Sequence, residues 1–337
     1  MTRLPSSACV ALLAFAALVP SPRCQSDPVF DDFERHTLGP NWLRLGGSTA
    51  DIIANSDLGS PQANGCVVAW VGSVFAANQF NEVTTATNMS PDMLTQVFVR
   101  QRLTDNARYG FHWNGDGTNS RWEIKFDGVP TAQTRLIATL PGPGPAPGST
   151  LRLEVYGSDP VVLRAFVNGQ PLLAGTDPAP NRITGAGRPG LVGRLRTGVA
   201  YTPPMPIFEQ WRSGSQYWFD EGQALAGTGG LPRLAGTGAL VANNLVGVDL
   251  ANALPQAPAF LAVGFARLDL PLLGGTLVPS PDIVLARVVG PAGTDTVTLV
   301  WPAGFPSGFS AWWQQWIVDA GAPQSVAASN ALLARVQ

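Results

Sequence analysis

The chain has 337 residues, with 21 Lys and Arg against 23 Asp and Glu for a net charge of −2, and it carries 37 glycines and 30 prolines. This balance offers little to a phosphate backbone, and 45% hydrophobic with 13% charged residues describes a turn-rich globular chain, not a disordered one. Its two histidines, His36 and His112, leave few side chains able to move protons near neutral pH.

Residues 1–26 have the layout of a signal peptide. Arg3 starts it, Ala8 to Val19 form an apolar stretch too short to span a bilayer, and Cys24 and Ser26 place small residues before a cut after Ser26. The residues preceding Cys24 (Ser21, Pro22, Arg23) do not suit lipid attachment. Processing would take the basic count from 21 to 19 against 23 acids, so the net charge moves from −2 to −4. It would also leave Cys66 as the lone cysteine, so stability is expected from packing, without an internal disulfide. The signal-peptide layout implies export to the extracellular space or cell surface, and no later segment is long and apolar enough to cross a membrane.

From Thr95 onward, apolar residues recur at every second position. The runs Thr95 to Leu103, Tyr109 to Trp113, Arg121 to Phe126, Leu151 to Tyr156 and Val161 to Val167 each predict a strand with one buried and one wet face. Turn signals at 114–117, Asp127-Gly128 and Asn168-Gly169 separate them, and PGPGPAPGS at 141–149 can continue neither a helix nor a central strand. Near Ser213 to Tyr217 the text becomes richer in glycine and proline. The clearest strands beyond are Ala259 to Gly264, Ile283 to Val289, Thr296 to Trp301 and Ala311 to Val318, with SNALLARVQ open to a strand or a short helix. The expected organisation is a signal peptide at 1–26, a first domain at 27–214 and a second, smaller β-sandwich at 215–337.

The text FDDFERHTLGPNW at 30–42 resembles the opening of bacterial laminin-G-like domains of the concanavalin A-like lectin/glucanase superfamily, through Asp32, Phe33, Arg35, Leu38, Gly39, Asn41 and Trp42. Tyr109, Trp122, PGSTLRLEVYG at 147–157, FVNGQPL at 166–172, GRPGLVG at 187–193 and Phe208 to Trp211 follow in the same order. The resemblance covers about residues 29–214. It implies a jelly roll of two curved antiparallel sheets whose concave face often holds saccharide in relatives. LPRLAGTG, PLLGGTLVP and SNALLA resemble a C-terminal module of secreted bacterial surface proteins, one with no known activity.

Three constellations bear on chemistry. In RWEIKFDG, alternation places Glu123, Lys125 and Asp127 on one face while Trp122, Ile124 and Phe126 fill the core. Family 16 glucanases carry a Glu-x-Asp-x-Glu strand on the concave face. Here Lys125 replaces the central acid, and residues four apart on a strand sit about 13 Å apart, against the roughly 5 Å a retaining glycosidase needs. Extending the alternation puts Arg100, Arg102, Glu123, Lys125, Arg152, Glu154 and Arg164 on wet faces, with Tyr156 and Phe166 as outward aromatics. The third is a metal question: NGDGTN at 114–119 has oxygen ligands for calcium but lacks the order of a calcium loop, and a hairpin turn explains it better. Zinc and serine-hydrolase chemistry lack partner residues, and Trp312, Trp313 and Trp316 read as packing, with an exposed anchor as the alternative.

The resulting expectation is an exported, all-β, non-enzymatic protein that holds a glycan or cell-surface polymer on the concave sheet of its first domain, with no cofactor and with calcium left open. Its expected ligand-binding residues are Arg100, Arg102, Glu123, Lys125, Arg152, Glu154, Tyr156 and Arg164. The alternatives are a glycoside hydrolase or lyase using Glu123 and Asp127, and a structural surface-assembly protein. The oligomeric state is left open.

Overall fold

Alternation along a strand leaves an apolar side that needs a partner layer, and the computed structural model provides it as two antiparallel sheets stacked face to face in a jelly-roll sandwich. The structure describes residues 28–35, 37–47, 53–54, 57–60, 66–73, 75–86, 93–115, 120–128, 133–195 and 205–337. Residues 1–26, read above as a signal peptide, His36 and most of the 114–119 segment lie outside the described residues. Regular structure within them is β apart from short 3-10 turns such as Pro323–Ser325, and strands are numbered in chain order.

One sheet has the order β13 (Gln170–Asp177), β12 (Val161–Val167), β11 (Thr150–Tyr156), β6 (Gln79–Thr85), β15 (Met205–Ser215), β4 (Asp57–Ser60) and β3 (Ile53–Ala54). An eighth strand, β1 (Val29–Asp31), pairs with β15. The facing seven-stranded sheet has the order β10 (Arg135–Pro141), β9 (Arg121–Asp127), β8 (Arg108–Asn114), β7 (Met93–Gln101), β14 (Arg188–Leu195), β5 (Cys66–Trp70) and β2 (Trp42–Gly47). Val97, Val99, Phe111 and Ile124 from the seven-stranded sheet pack with Val83, Leu151, Leu153 and Leu163 from the other. Asn168 and Gly169, both at positive φ, turn β12 into β13, the conformation a two-residue hairpin loop demands. The N-terminal motif closes one end: the Asp31 carboxylate accepts hydrogen bonds from Phe33 N, Arg35 and Trp42 Nε1 at 2.5–2.8 Å, and Trp42 packs on Trp211 at 4.6 Å.

The remaining strands surround a separate core. A three-stranded sheet, β17 (Arg233–Thr237), β18 (Leu245–Ala251) and β23 (Asp295–Val300), faces a six-stranded one. The latter has the order β16 (Trp218–Asp220), β26 (Leu332–Arg335), β24 (Ser310–Val318), β19 (Pro258–Gly264) and β22 (Ile283–Val288), with β25 (Val326–Ala328) on β24. The 270–279 text forms most of a hairpin, β20 (Arg267–Leu272) and β21 (Gly275–Pro279), turning at Leu273 and Gly274. Leu272 and Leu277 of this hairpin cover Trp316, while Trp313 faces the core between the sheets. Both sides of the tryptophan-rich strand are therefore packed, and the 332–335 segment is a strand, not a helix.

Residues 216–221 and the C-terminal end dock on the outer face of the eight-stranded sheet. Phe219 packs on Tyr156 at 4.5 Å. Arg164 donates to Glu221 at 3.0 Å and to the Asp220 carbonyl, Arg152 donates to Gln216 at 2.9 Å, and the Asn78 N–H donates to Gln337 at 3.0 Å.

Arg100 departs from the alternation. Its φ of 50° turns the side chain inward, and its guanidinium donates to the carbonyls of Ala77, Ile183 and Gly157 at 2.6, 2.7 and 2.9 Å. It is wholly buried, and that burial pulls its pKa down to about 10. Arg100 thus ties the loops at one end of the sandwich together and is not available to a ligand in this structure. Arg100→Ala strands three carbonyls and is expected to lower stability by roughly 3 kcal/mol, read as the midpoint of urea unfolding. An unchanged midpoint would refute this role.

Candidate functional site

The expected ligand residues do not share one face. Glu123 and Lys125 stand on β9 of the seven-stranded sheet, whereas Arg152, Glu154, Tyr156 and Arg164 stand on β11 and β12 of the other. Each set points away from the common core, so the two look out from opposite sides of the sandwich. Sequence alternation assigns in or out but cannot assign strands to sheets, which is why the single face was expected. Arg102 belongs to neither set: it pairs with Asp105 at 2.7 Å in the β7–β8 turn.

On the eight-stranded sheet the candidates are already engaged. Arg152 pairs with Glu154 at 2.8 Å and Glu82 at 3.4 Å and lies 4.0 Å over Phe80. Arg164 and Tyr156 meet Glu221 and Phe219 as above, and burial pushes the Tyr156 hydroxyl up to about 12.

The outer face of β7, β8 and β9 carries the other set, and β8 adds groups that the sequence reading left out. Register places His112 opposite Glu123 and Gln96 opposite His112. His112 Nε2 lies 3.1 Å from Glu123 Oε2, while Arg121 Nε and, at 3.4 Å, Asn114 Nδ2 donate to Oε1. Four residues along, the Asp127 carboxylate takes Lys125 at 3.1 Å, Gln96 at 3.1 Å and Arg108 at 3.3 Å. Arg108 also sits 4.7 Å over Phe98, whose ring faces outward yet is 0% exposed. Gly190 makes room beneath it, since a Cβ there would collide with the Val68 carbonyl and the Phe98 ring. Within β8 (RYGFHWN) Arg108, His112 and Asn114 alternate with the buried Tyr109 and Phe111 and face outward, and the signal the sequence lacks is the pairing of β8 with β9.

Electrostatics set the protonation of this face. The hydrogen bond from His112, together with Arg121 and Asn114, overcomes burial and holds Glu123 at about 2. His112 is lowered from its ordinary value, chiefly by burial, so it stands neutral and donates from Nε2. Its Nδ1 is buried without a hydrogen-bond partner among the described residues. No group of three or more His, Cys, Asp or Glu able to hold a metal occurs among the described residues. The face thus offers two carboxylates, a lysine, two arginines and two amides, and the 6% exposure of Glu123 leaves Arg121 as the exposed donor of its clamp.

No protein-family model matches the chain. No curated protein matches it either. Similar solved structures include a carbohydrate binding module from Bacillus subtilis, at 12% identity and a TM-score of 0.39, covering 53% of this chain and 97% of that one. The β-glucanase of Bacillus licheniformis has 14% identity and a TM-score of 0.39, over 57% of this chain and 100% of that one. The laminarinase catalytic domain from Thermotoga maritima MSB8 has 9% identity and a TM-score of 0.41, over 56% of this chain and 97% of that one.

The two shifts predict how stability follows pH. The unfolded chain takes up a proton at His112 near pH 6.5 that the fold resists, so this contribution is complete above pH 6.5 and fades as pH falls below it. Glu123 contributes above its ordinary 4.5, and that part is lost as pH falls towards 2. Urea unfolding from pH 7 to 5 should show a decline of at most about 1.4 kcal/mol per pH unit from His112. His112→Gln should remove it. A decline of equal slope in His112→Gln would contradict the assignment.

Proposed function

We propose that this chain is a secreted, non-enzymatic saccharide-binding protein whose ligand lies on the outer face of β7, β8 and β9, with residues 215–337 serving attachment or display. The observation carrying this reading is the Glu123 clamp. A carboxylate held by His112, Arg121 and Asn114 stays ionised and so cannot supply the protonated acid that a glycosidase needs beside its ionised partner. Asp127, four residues along the same strand, is engaged by Lys125, Arg108 and Gln96. Fixed donors and acceptors on a rigid sheet suit recognition of sugar hydroxyls, because they lose little entropy on binding. Export rests on the signal-like layout of residues 1–26, and the laminin-G-like kinship on the ordered motifs at 29–214.

A glycan-array screen of residues 27–337, with and without calcium, tests this reading. A captured saccharide should bind at least about tenfold more weakly to Lys125→Ala and Arg121→Ala, since a hydrogen bond to a charged group contributes about 1.5–3 kcal/mol. Arg212→Ala, exposed on the opposite sheet, should bind as wild type. Cleavage of the bound saccharide, or loss of binding in Arg212→Ala alone, would overturn the proposal.

A further inference from the structure

Strand β22 ends its sheet, and among the described residues it pairs only with β19. Alternate residues of such a strand direct unpaired N–H and C=O groups outward, a template for another strand. Natural edges are guarded by lysine, proline, a bulge or a covering element. The sequence IVLARV has neither lysine nor proline, and its register with β19 is unbroken from Ile283 to Val288. Val284 is 53% exposed, Val288 67%, and their neighbour Phe260 on β19 is 47% exposed. Leu285 and Ile283 on the other side of the strand are exposed as well. The strand overhangs its core on both sides.

We infer that this edge is a homotypic interface: β22 pairs antiparallel with β22 of a second copy, making one continuous sheet across a two-fold axis. Residues directly opposed in an antiparallel pair share a face, so a two-fold normal to the sheet must pass through a residue, not between two. An axis at Ala286 sets Val284 against the second copy's Val288 and Ala286 against its own equivalent, with both Phe260 rings flanking the seam. Charge also favours a second copy. Arg287 is the one charged residue of β22, and Asp295 already neutralises it through two hydrogen bonds at 2.6 and 2.9 Å. Two identical edges therefore meet without like-charge repulsion, and a charged foreign strand would find no complementary partner. The inference is independent of the saccharide face, which lies on a different sheet.

Sedimentation velocity of residues 27–337, titrated from about 1 μM to about 1 mM, tests it. Wild type should dimerise within this range. Ala286→Lys opposes two lysines at the axis and should weaken the dimer at least tenfold, and Val284→Lys should do likewise. Leu268→Lys, on the exposed β20 strand away from this edge, should dimerise as wild type. All are surface substitutions, and an unchanged thermal midpoint shows that the fold persists. A wild type monomeric throughout would overturn the inference and leave the edge to a strand of another protein. A dimer insensitive to Ala286→Lys, or equally sensitive to Leu268→Lys, would overturn it too.

Discussion

A β-sandwich has two outer faces, and in this protein one of them is occupied by its own chain. The contact of Phe219 with Tyr156, flanked by the Arg164–Glu221 pair and the Arg152–Gln216 hydrogen bond, seats the C-terminal strands on the eight-stranded sheet. Glu221 also pairs with Arg267 at 2.7 Å, so one carboxylate links the first sandwich to the β20 hairpin of the second. Partly buried pairs of this kind are costly to break singly, because each partner is left desolvated. The polar groups of β11 and β12 are consequently committed within the molecule, and the outer face of β7 to β9 is the one whose polar groups pair chiefly among themselves.

On that face, the state of the carboxylates supports the proposed binding role. Catalytic carboxyls are arranged so that neighbours push their pKa values apart, one up and one down. Glu123 ends below its ordinary value, its hydrogen bonds outweighing the upward push of burial, and its strand neighbours include the lone lysine of the chain. His112, the histidine on this face, spends its N–H on that same carboxylate. A set of charges that neutralise each other locally makes a rigid hydrogen-bonding surface. The same economy recurs beside Phe126, where Asp177 takes Arg135 and the Tyr109 hydroxyl and remains ionised despite its burial.

Strand positions were legible in the sequence where period-2 alternation was clean. The runs at 121–126, 151–156 and 161–167 fall within β9, β11 and β12, and 259–264 and 311–318 fall within β19 and β24. What alternation could not convey is the sheet to which each strand belongs, since pairing between distant segments leaves no local mark. That is why Glu123 and Arg152 were grouped although they lie on opposite faces. Arg100 escaped for a different reason: one residue at positive φ reverses the inside–outside pattern, and arginine carries no sequence signal for that conformation. The clamp on Glu123 was half visible. Its strand was read from RWEIKFDG, while His112 and Asn114 reach it only through the β8–β9 register.

Hydroxyl-radical footprinting of residues 27–337 tests most directly whether one outer face is closed and the other open. Tyr156 and Phe219, buried against each other, should be modified far more slowly than the exposed Phe30 and Phe265. Separating the two halves at residue 214 should raise the reactivity of Tyr156. Rapid modification of Tyr156 and Phe219 in the intact chain would contradict the docked arrangement and return Arg152, Tyr156 and Arg164 to the set of accessible ligand-binding residues.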